Sequence, residues 1–267
     1  MRDVIPLGGR LALYAVTALL LAFLVAPILL IVPMSFSGTR YLDFPPVIWS
    51  FRWYERLFGS ALWSNALVRS LQVGAITALL ATPIGVLTAY AAHHARSPAV
   101  QAVRGMMLLP LLTPHIAIAL GVFYLYVRLN WLGSFWGLVA AHAMLALPFV
   151  VITTLSALRS SDPAQERAAL SLGCGRPTAF LRVTLPQIAP SILSGTLFAF
   201  VTSMDEVVVS LFIAAGQNTT ITKVMFSSLR DELDPTIAAV STVLTAGSLV
   251  VGLAFVALGA AKRRRRA

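Results

Sequence analysis

Two adjacent carboxylates, Asp205 and Glu206, lie in "TSMDEVVVSLF" (202–212), inside an apolar run long enough to cross a membrane. A charge at the bilayer centre costs roughly 2.5–3.5 kcal/mol. Both acids are therefore expected to face protein or water. Carboxylates there can replace the water that a protonated amine sheds on entering a pathway. They can equally pair with a basic or hydroxyl group and only set helix packing. Asp205 stands ten residues before Ala215, about 15 Å from that end of the run at helical rise. Successive positions on a continuous helix diverge by about 100°, which argues against shared acid–base work. Glu206 then falls on a polar stripe with Thr202, Ser203 and Ser210. Asp205 falls with Phe198, Val201, Val209 and Phe212. That polar stripe is expected to line a cavity or pack on another helix, whereas the Asp205 stripe is aromatic and aliphatic.

Other reactive side chains are sparse. His115 stands near mid-depth of a third apolar run, where it can contact solute or bond a neighbouring helix; His142 in the fourth run carries the same alternatives. His93 and His94 alone lack the ligands for zinc, and Cys174 is the single cysteine. No metal site is expected. No nucleophile with its base is evident, and "GCGRPT" lacks the lysine and spacing of a phosphate loop. The chain is therefore not expected to be an enzyme.

The elements that must position these residues are membrane spans. The 267 residues are 58% hydrophobic and 11% charged, whereas soluble domains are about a quarter charged. Six runs meet the roughly 20 residues needed to span: 11–32, 71–92, 105–127, 135–157, 188–215 and 236–261. The first is too long for a signal peptide and is read as retained. The expected fold is all-α, a single six-span domain over 1–267. Thirteen of the twenty basic residues fall on the side holding both termini, including the tail "KRRRR", which makes that side cytoplasmic. This clustering between apolar runs is a topology signal, and no nucleic-acid partner is expected. Residues 33–62 on the outer side carry eight aromatic rings, either an interfacial belt or a docking surface.

The longest inner loop, 158–187, contains helix-start chemistry at "SDPAQERAALSL": Ser161 or Asp162 can cap, Pro163 fits the first turn and Glu166 favours the positive end of the dipole. "GCG" (173–175) stops this helix, and "PTAFLRV" provides a second short stretch before Pro186. Ala168, Ala169 and Leu172 offer a shallow apolar face.

This hairpin resembles the cytoplasmic EAA motif of permease subunits of binding-protein-dependent ABC importers. Ala168, Ala169, Gly173, Val183, Leu185 and Pro186 fit its spacing, while Arg167 occupies the acid position and Glu166 precedes it. "SMDEVVVSLFIA" and "TITKVMFSSLRDELDPTIAAVSTVL" further resemble the second permease subunit of spermidine and putrescine importers. The resemblance implies a type I importer permease of the bacterial inner membrane that works by alternating access. It implies a second permease subunit, two copies of a cytoplasmic ATPase that bind the ATP, an external solute-binding protein and no cofactor of its own. It makes Glu166, Arg167, Ala168, Ala169, Gly173, Leu185 and Pro186 the ATPase-coupling residues. Asp205, Glu206, Ser203 and His115 become candidates for the path of a cationic solute. An importer of another solute, or an ion-coupled secondary transporter using Asp205, Glu206 and His115 as a relay, are the alternatives.

Overall fold

The computed structural model describes residues 7–95, 97–231 and 234–264. The described residues are almost entirely helical, in the order α1 (Leu7–Met34), α2 (Arg52–Gly59), α3 (Ala61–His94), α4 (Pro98–Leu108), α5 (His115–Leu129), α6 (Phe135–Ser160), α7 (Pro163–Ser171), α8 (Arg176–Ala179), α9 (Leu185–Asp205), α10 (Val208–Ile213), α11 (Ile221–Asp231) and α12 (Thr236–Arg264). The stretches Gly8–Met34, Ala61–His94, Phe135–Ser160, Arg176–Asp205 and Thr236–Leu253 are long and apolar enough to cross a membrane. The count reaches six if the pair Pro98–Leu111 with His115–Leu129, bent by 108°, is taken as one crossing.

Two of the expected spans are therefore not straight. In 105–127 the helix gives way to a 3-10 turn at Leu109–Leu111 and restarts at His115. Pro110 and Pro114 flank the break; neither has an amide to donate, and each restricts the residue before it. The run 188–215 stops being helical at Asp205 and resumes at Val208. At its other end the helix begins early, because α8, a π-helical turn at Phe180–Thr184 and α9 follow without a gap. Pro186 lacks an amide, and the wider turn before it relaxes the hydrogen-bond ladder, so the chain continues where a stop was expected.

The chain divides into two compact units, one of residues up to Ala61 together with those from Ser228 onward, the other Leu62–Ser227. In the first unit α12 packs on α1 and α2. In the second, α6 against α9 is the most extensive helix pair, and α10 packs on α5. Val150 of α6 is fully buried among Ala78, Ala81, Ala146, Phe180 and Ala199. Gly195 lets α9 approach α6 so closely that a Cβ there would overlap the Thr153 hydroxyl and sit 3.2 Å from the Val150 Cα. Small side chains at such crossings replace hydrophobic expulsion with close backbone packing, the main source of helix association in lipid.

Candidate coupling hairpin and translocation residues

The hairpin forms as its end signals require. Asp162 caps α7 by accepting the Ala164 amide at 2.9 Å, Pro163 occupies the first turn, and Gly173 takes φ +89° where the chain reverses. A left-handed φ of this size strains any residue with a Cβ. The exposed surface carries Arg167, Ala168 and Leu172, the last 86% exposed. Ala169 is half-buried. Leu185 turns inward against the cluster around Phe180 and Ala199, while Pro186 stays exposed at the start of α9.

Glu166 faces its own protein. Its carboxylate accepts the Tyr90 hydroxyl at 2.6 Å and the Thr184 hydroxyl, and lies 3.4 Å from His94 Nε2. Burial alone would raise the pKa of this carboxyl. The bonds from Thr184 and Tyr90, with the nearby His94 and His93, outweigh that and hold it below the ordinary carboxylate range. One acid thus ties α7 to the end of α3 and to the π turn leading into α9. Tyr90 and Thr184 were not singled out from sequence. Tyr90 stands one turn before His94 and meets its ring in a tilted contact at 4.2 Å between centroids, an i, i+4 aromatic pair that sequence spacing does carry.

The two membrane acids are placed differently from the helical-wheel expectation. Because α9 ends at Asp205, Glu206 adopts extended backbone and the two are not neighbours on one continuous helix. Glu206 is buried, and its carboxylate accepts the Val209 amide at 2.8 Å, capping the first turn of α10. Its carbonyl accepts the Thr222 hydroxyl at 2.9 Å. The expected Glu206–Ser203–Ser210 stripe is therefore replaced by a capped helix break. Asp205 is the exposed acid, with no hydrogen bond or ion pair to its carboxylate among the described residues.

Ser203 is buried and engaged. His142 on α6 bonds Ser203 at 2.8 Å through Nδ1 and Ser210 at 3.2 Å through Nε2, one hydroxyl on each side of the break. The other end of α10 is held by Lys223, whose ammonium donates to the Ala214 and Leu211 carbonyls at 2.6 and 3.1 Å. A carboxylate at the first turn and an ammonium at the last match the polarity of a helix dipole. His115 is exposed and is the first residue of α5, directly after the bend. The depth expected for it, counted along a straight helix, does not apply. The structure gathers Ser203, Glu206 and His142 at one break, and His115 makes no hydrogen bond to any of them among the described residues. No cluster of three or more His, Cys, Asp or Glu able to hold a metal occurs among the described residues.

Residues 81–265 match the family described as the binding-protein-dependent transport system inner membrane component. The chain is 33% identical over 238 residues to the spermidine/putrescine transport system permease protein PotC of Haemophilus influenzae, covering 89% of this chain and 90% of that one. It is 30% identical over 249 residues to PotC of Escherichia coli K12, covering 92% and 93%. The putrescine transport system permease protein PotI of the same strain is 30% identical over 254 residues, covering 91% and 89%. Among solved structures, a bacterial ABC transporter involved in the import of the acidic polysaccharide alginate superposes with a TM-score of 0.71 at 18% identity, over 96% of each chain. An amino acid ABC transporter crystallised with histidines gives 0.56 at 20% identity, over 79% of this chain and 95% of that one. The hairpin, the helical fold and these likenesses agree: the chain belongs to the binding-protein-dependent transport system inner-membrane component family and is a multi-pass permease subunit of an ABC importer.

Proposed function

We propose that this permease passes a polyamine such as spermidine or putrescine, driven by ATP bound and hydrolysed on a separate ATPase. The observation carrying the substrate class is its likeness over about nine-tenths of its length to PotC and PotI, permeases of spermidine and putrescine systems. Asp205 adds a physical reason. It is an exposed carboxylate at a helix break within an apolar region, and such a group can replace part of the hydration shell of an ammonium. Its contact must stay weak for the solute to leave. Glu206, whose oxygen is committed to the Val209 amide, acts on the pathway by fixing the break.

The hairpin carries the coupling. Arg167, Ala168 and Leu172 form the face that docks on a cytoplasmic ATPase, with both chain termini on that same side. Glu166, Tyr90 and Thr184 fix the hairpin to α3 and α9, so a push on α7 moves helices as a body. A second permease subunit, two ATPase copies and an external solute-binding protein complete the transporter. Reconstitution with those partners in proteoliposomes tests the reading. ATP-dependent uptake of labelled spermidine or putrescine, reduced by Asp205→Asn, is the expected result. Uptake driven by an ion gradient without ATP, or of anionic solutes only, overturns it.

A further inference from the structure

The first compact unit contains a basic cavity that the transport reading does not use. It is an open depression of about 360 Å³ lined by Arg40, Arg52, Trp53, Arg56, Asp234 and Pro235, with the three arginines exposed at its rim. Three of these are arginines and one is an acid. The acid, Asp234, is buried and already paired with Arg56 at 3.1 Å, and its other oxygen accepts the Thr236 amide and hydroxyl at 2.9 and 2.7 Å. Arg52 spends one N–H on the Gly38 carbonyl at 2.8 Å, a neutral partner that leaves its charge uncompensated. Asp43 and Glu55, the other acids of this segment, do not line the cavity, and Asp43 is taken by the Thr39 hydroxyl at 2.7 Å.

Arg52 and Arg56 are one turn apart on α2, an arrangement in which like charges repel. Both nevertheless stand against the same indole, at 4.5 and 5.9 Å from the Trp53 ring centre. Trp53 is only 3% exposed, so the platform is rigid. Cation–π contact offsets part of the repulsion, but the cavity keeps a surplus of about two positive charges. A single anion with several acceptor oxygens would relieve it, and guanidinium forks fit phosphate oxygens in pairs.

Location selects the source of that anion. Asp234 and Pro235 immediately precede the membrane-crossing stretch Thr236–Leu253, and Arg40 lies six residues past the end of the crossing helix α1. The cavity therefore sits where the apolar runs of two spans end. The same segment exposes Tyr41, Phe44, Trp49, Phe51 and Phe58, each more than half. It is ordered by the Phe36–Tyr54 and Phe36–Phe51 ring contacts and by Gly38 pairing with Ile48. Exposed rings on a fixed loop at a span boundary belong at headgroup depth. There the abundant phosphate is that of phospholipid.

We propose that this cavity is a binding site for the phosphate headgroup of an anionic phospholipid, with Arg40 and Arg52 supplying the free charges and Arg56, braced by Asp234, completing the wall. The site anchors the aromatic segment to the bilayer surface independently of solute passage.

The test is native mass spectrometry of the full chain purified with its co-purifying subunits. It is titrated separately with phosphatidylglycerol, phosphatidylcholine and inorganic phosphate. Phosphatidylglycerol should bind more tightly than phosphatidylcholine. Arg40→Gln should weaken phosphatidylglycerol binding by about fivefold, the worth of one arginine at a membrane surface. Arg40→Lys should keep most of the binding. Arg230→Gln, which removes an exposed arginine outside the cavity, should change nothing. An unchanged melting temperature of Arg40→Gln excludes misfolding, and Arg52→Gln serves as the second variant if Arg40→Gln does not accumulate. Equal affinity for the two lipids, or equal binding by Arg40→Gln and Arg230→Gln, overturns the proposal. Displacement of lipid by equimolar inorganic phosphate assigns the cavity to a free anion and also overturns it. So does weaker capture of the external binding protein with unchanged lipid binding.

Discussion

His142 bridges Ser203 and Ser210, bonding the first at 2.8 Å and the second at 3.2 Å, so that one imidazole holds both flanks of the helix break. Replacing it with phenylalanine keeps a planar ring, slightly larger than the imidazole, but strands two buried hydroxyls. Unsatisfied buried polar groups cost about 1–3 kcal/mol each. His142→Phe should lower the melting temperature of the purified transporter clearly, whereas His142→Gln, which can still donate and accept, should lower it less. Equal melting of both variants would show that the bridge contributes nothing.

The two membrane acids should separate by readout. Glu206→Ala removes the cap on α10 and should cost about 0.5–2 kcal/mol of stability. Asp205→Asn removes only an exposed charge and should leave melting within about 0.5 kcal/mol, while lowering uptake of a cationic solute. Paired melting and uptake measurements check this. Loss of stability in Asp205→Asn and none in Glu206→Ala would reverse the assignment.

At the α6–α9 crossing, Gly195→Ala drives a Cβ into the Thr153 hydroxyl. Overpacking of this kind costs about 1–3 kcal/mol. The double variant Gly195→Ala with Thr153→Ala should recover part of it, since the nearest overlapping atom is then gone. Denaturant or thermal melting in detergent measures the recovery.

For the hairpin, Glu166→Gln and Tyr90→Phe should loosen α7 and raise ATP hydrolysed per solute imported in proteoliposomes, with the ATPase itself unaffected. The pH dependence has a definite sign. The folded Glu166 carboxyl titrates below its ordinary value of 4.5. Its stabilisation is therefore complete above that value and is lost as pH falls through the lower folded pKa. The melting gap between wild type and Glu166→Gln should stay constant around neutrality and close only in acid. A gap that closes around neutral pH would overturn this assignment.

Much of the architecture was legible locally. Apolar run length set out six crossings, and the Asp162–Pro163 start and the Gly173 turn marked the hairpin, because capping and left-handed turns depend on residues a few positions apart. Glu166 was legible as a first-turn acid of the hairpin, but its inward direction was not, since Tyr90 lies 76 residues away. The bend at Leu112–Thr113 had its prolines in view; a hydropathy window averages over them.

The membrane acids mark the limit most clearly. Sequence alone determined that two carboxylates occur in an apolar run and that such charges require compensation. Only the tertiary structure decided which one is compensated. His142, Thr222 and Lys223 reach residues 206–214 and their flank from 61 or more, 16 and 9 to 12 positions away. Together with the Glu206 cap, these contacts fit a broken helix and not a continuous one. A helical wheel assumes the ladder persists; long-range hydrogen bonds to freed backbone groups are what allow it to stop inside an apolar region.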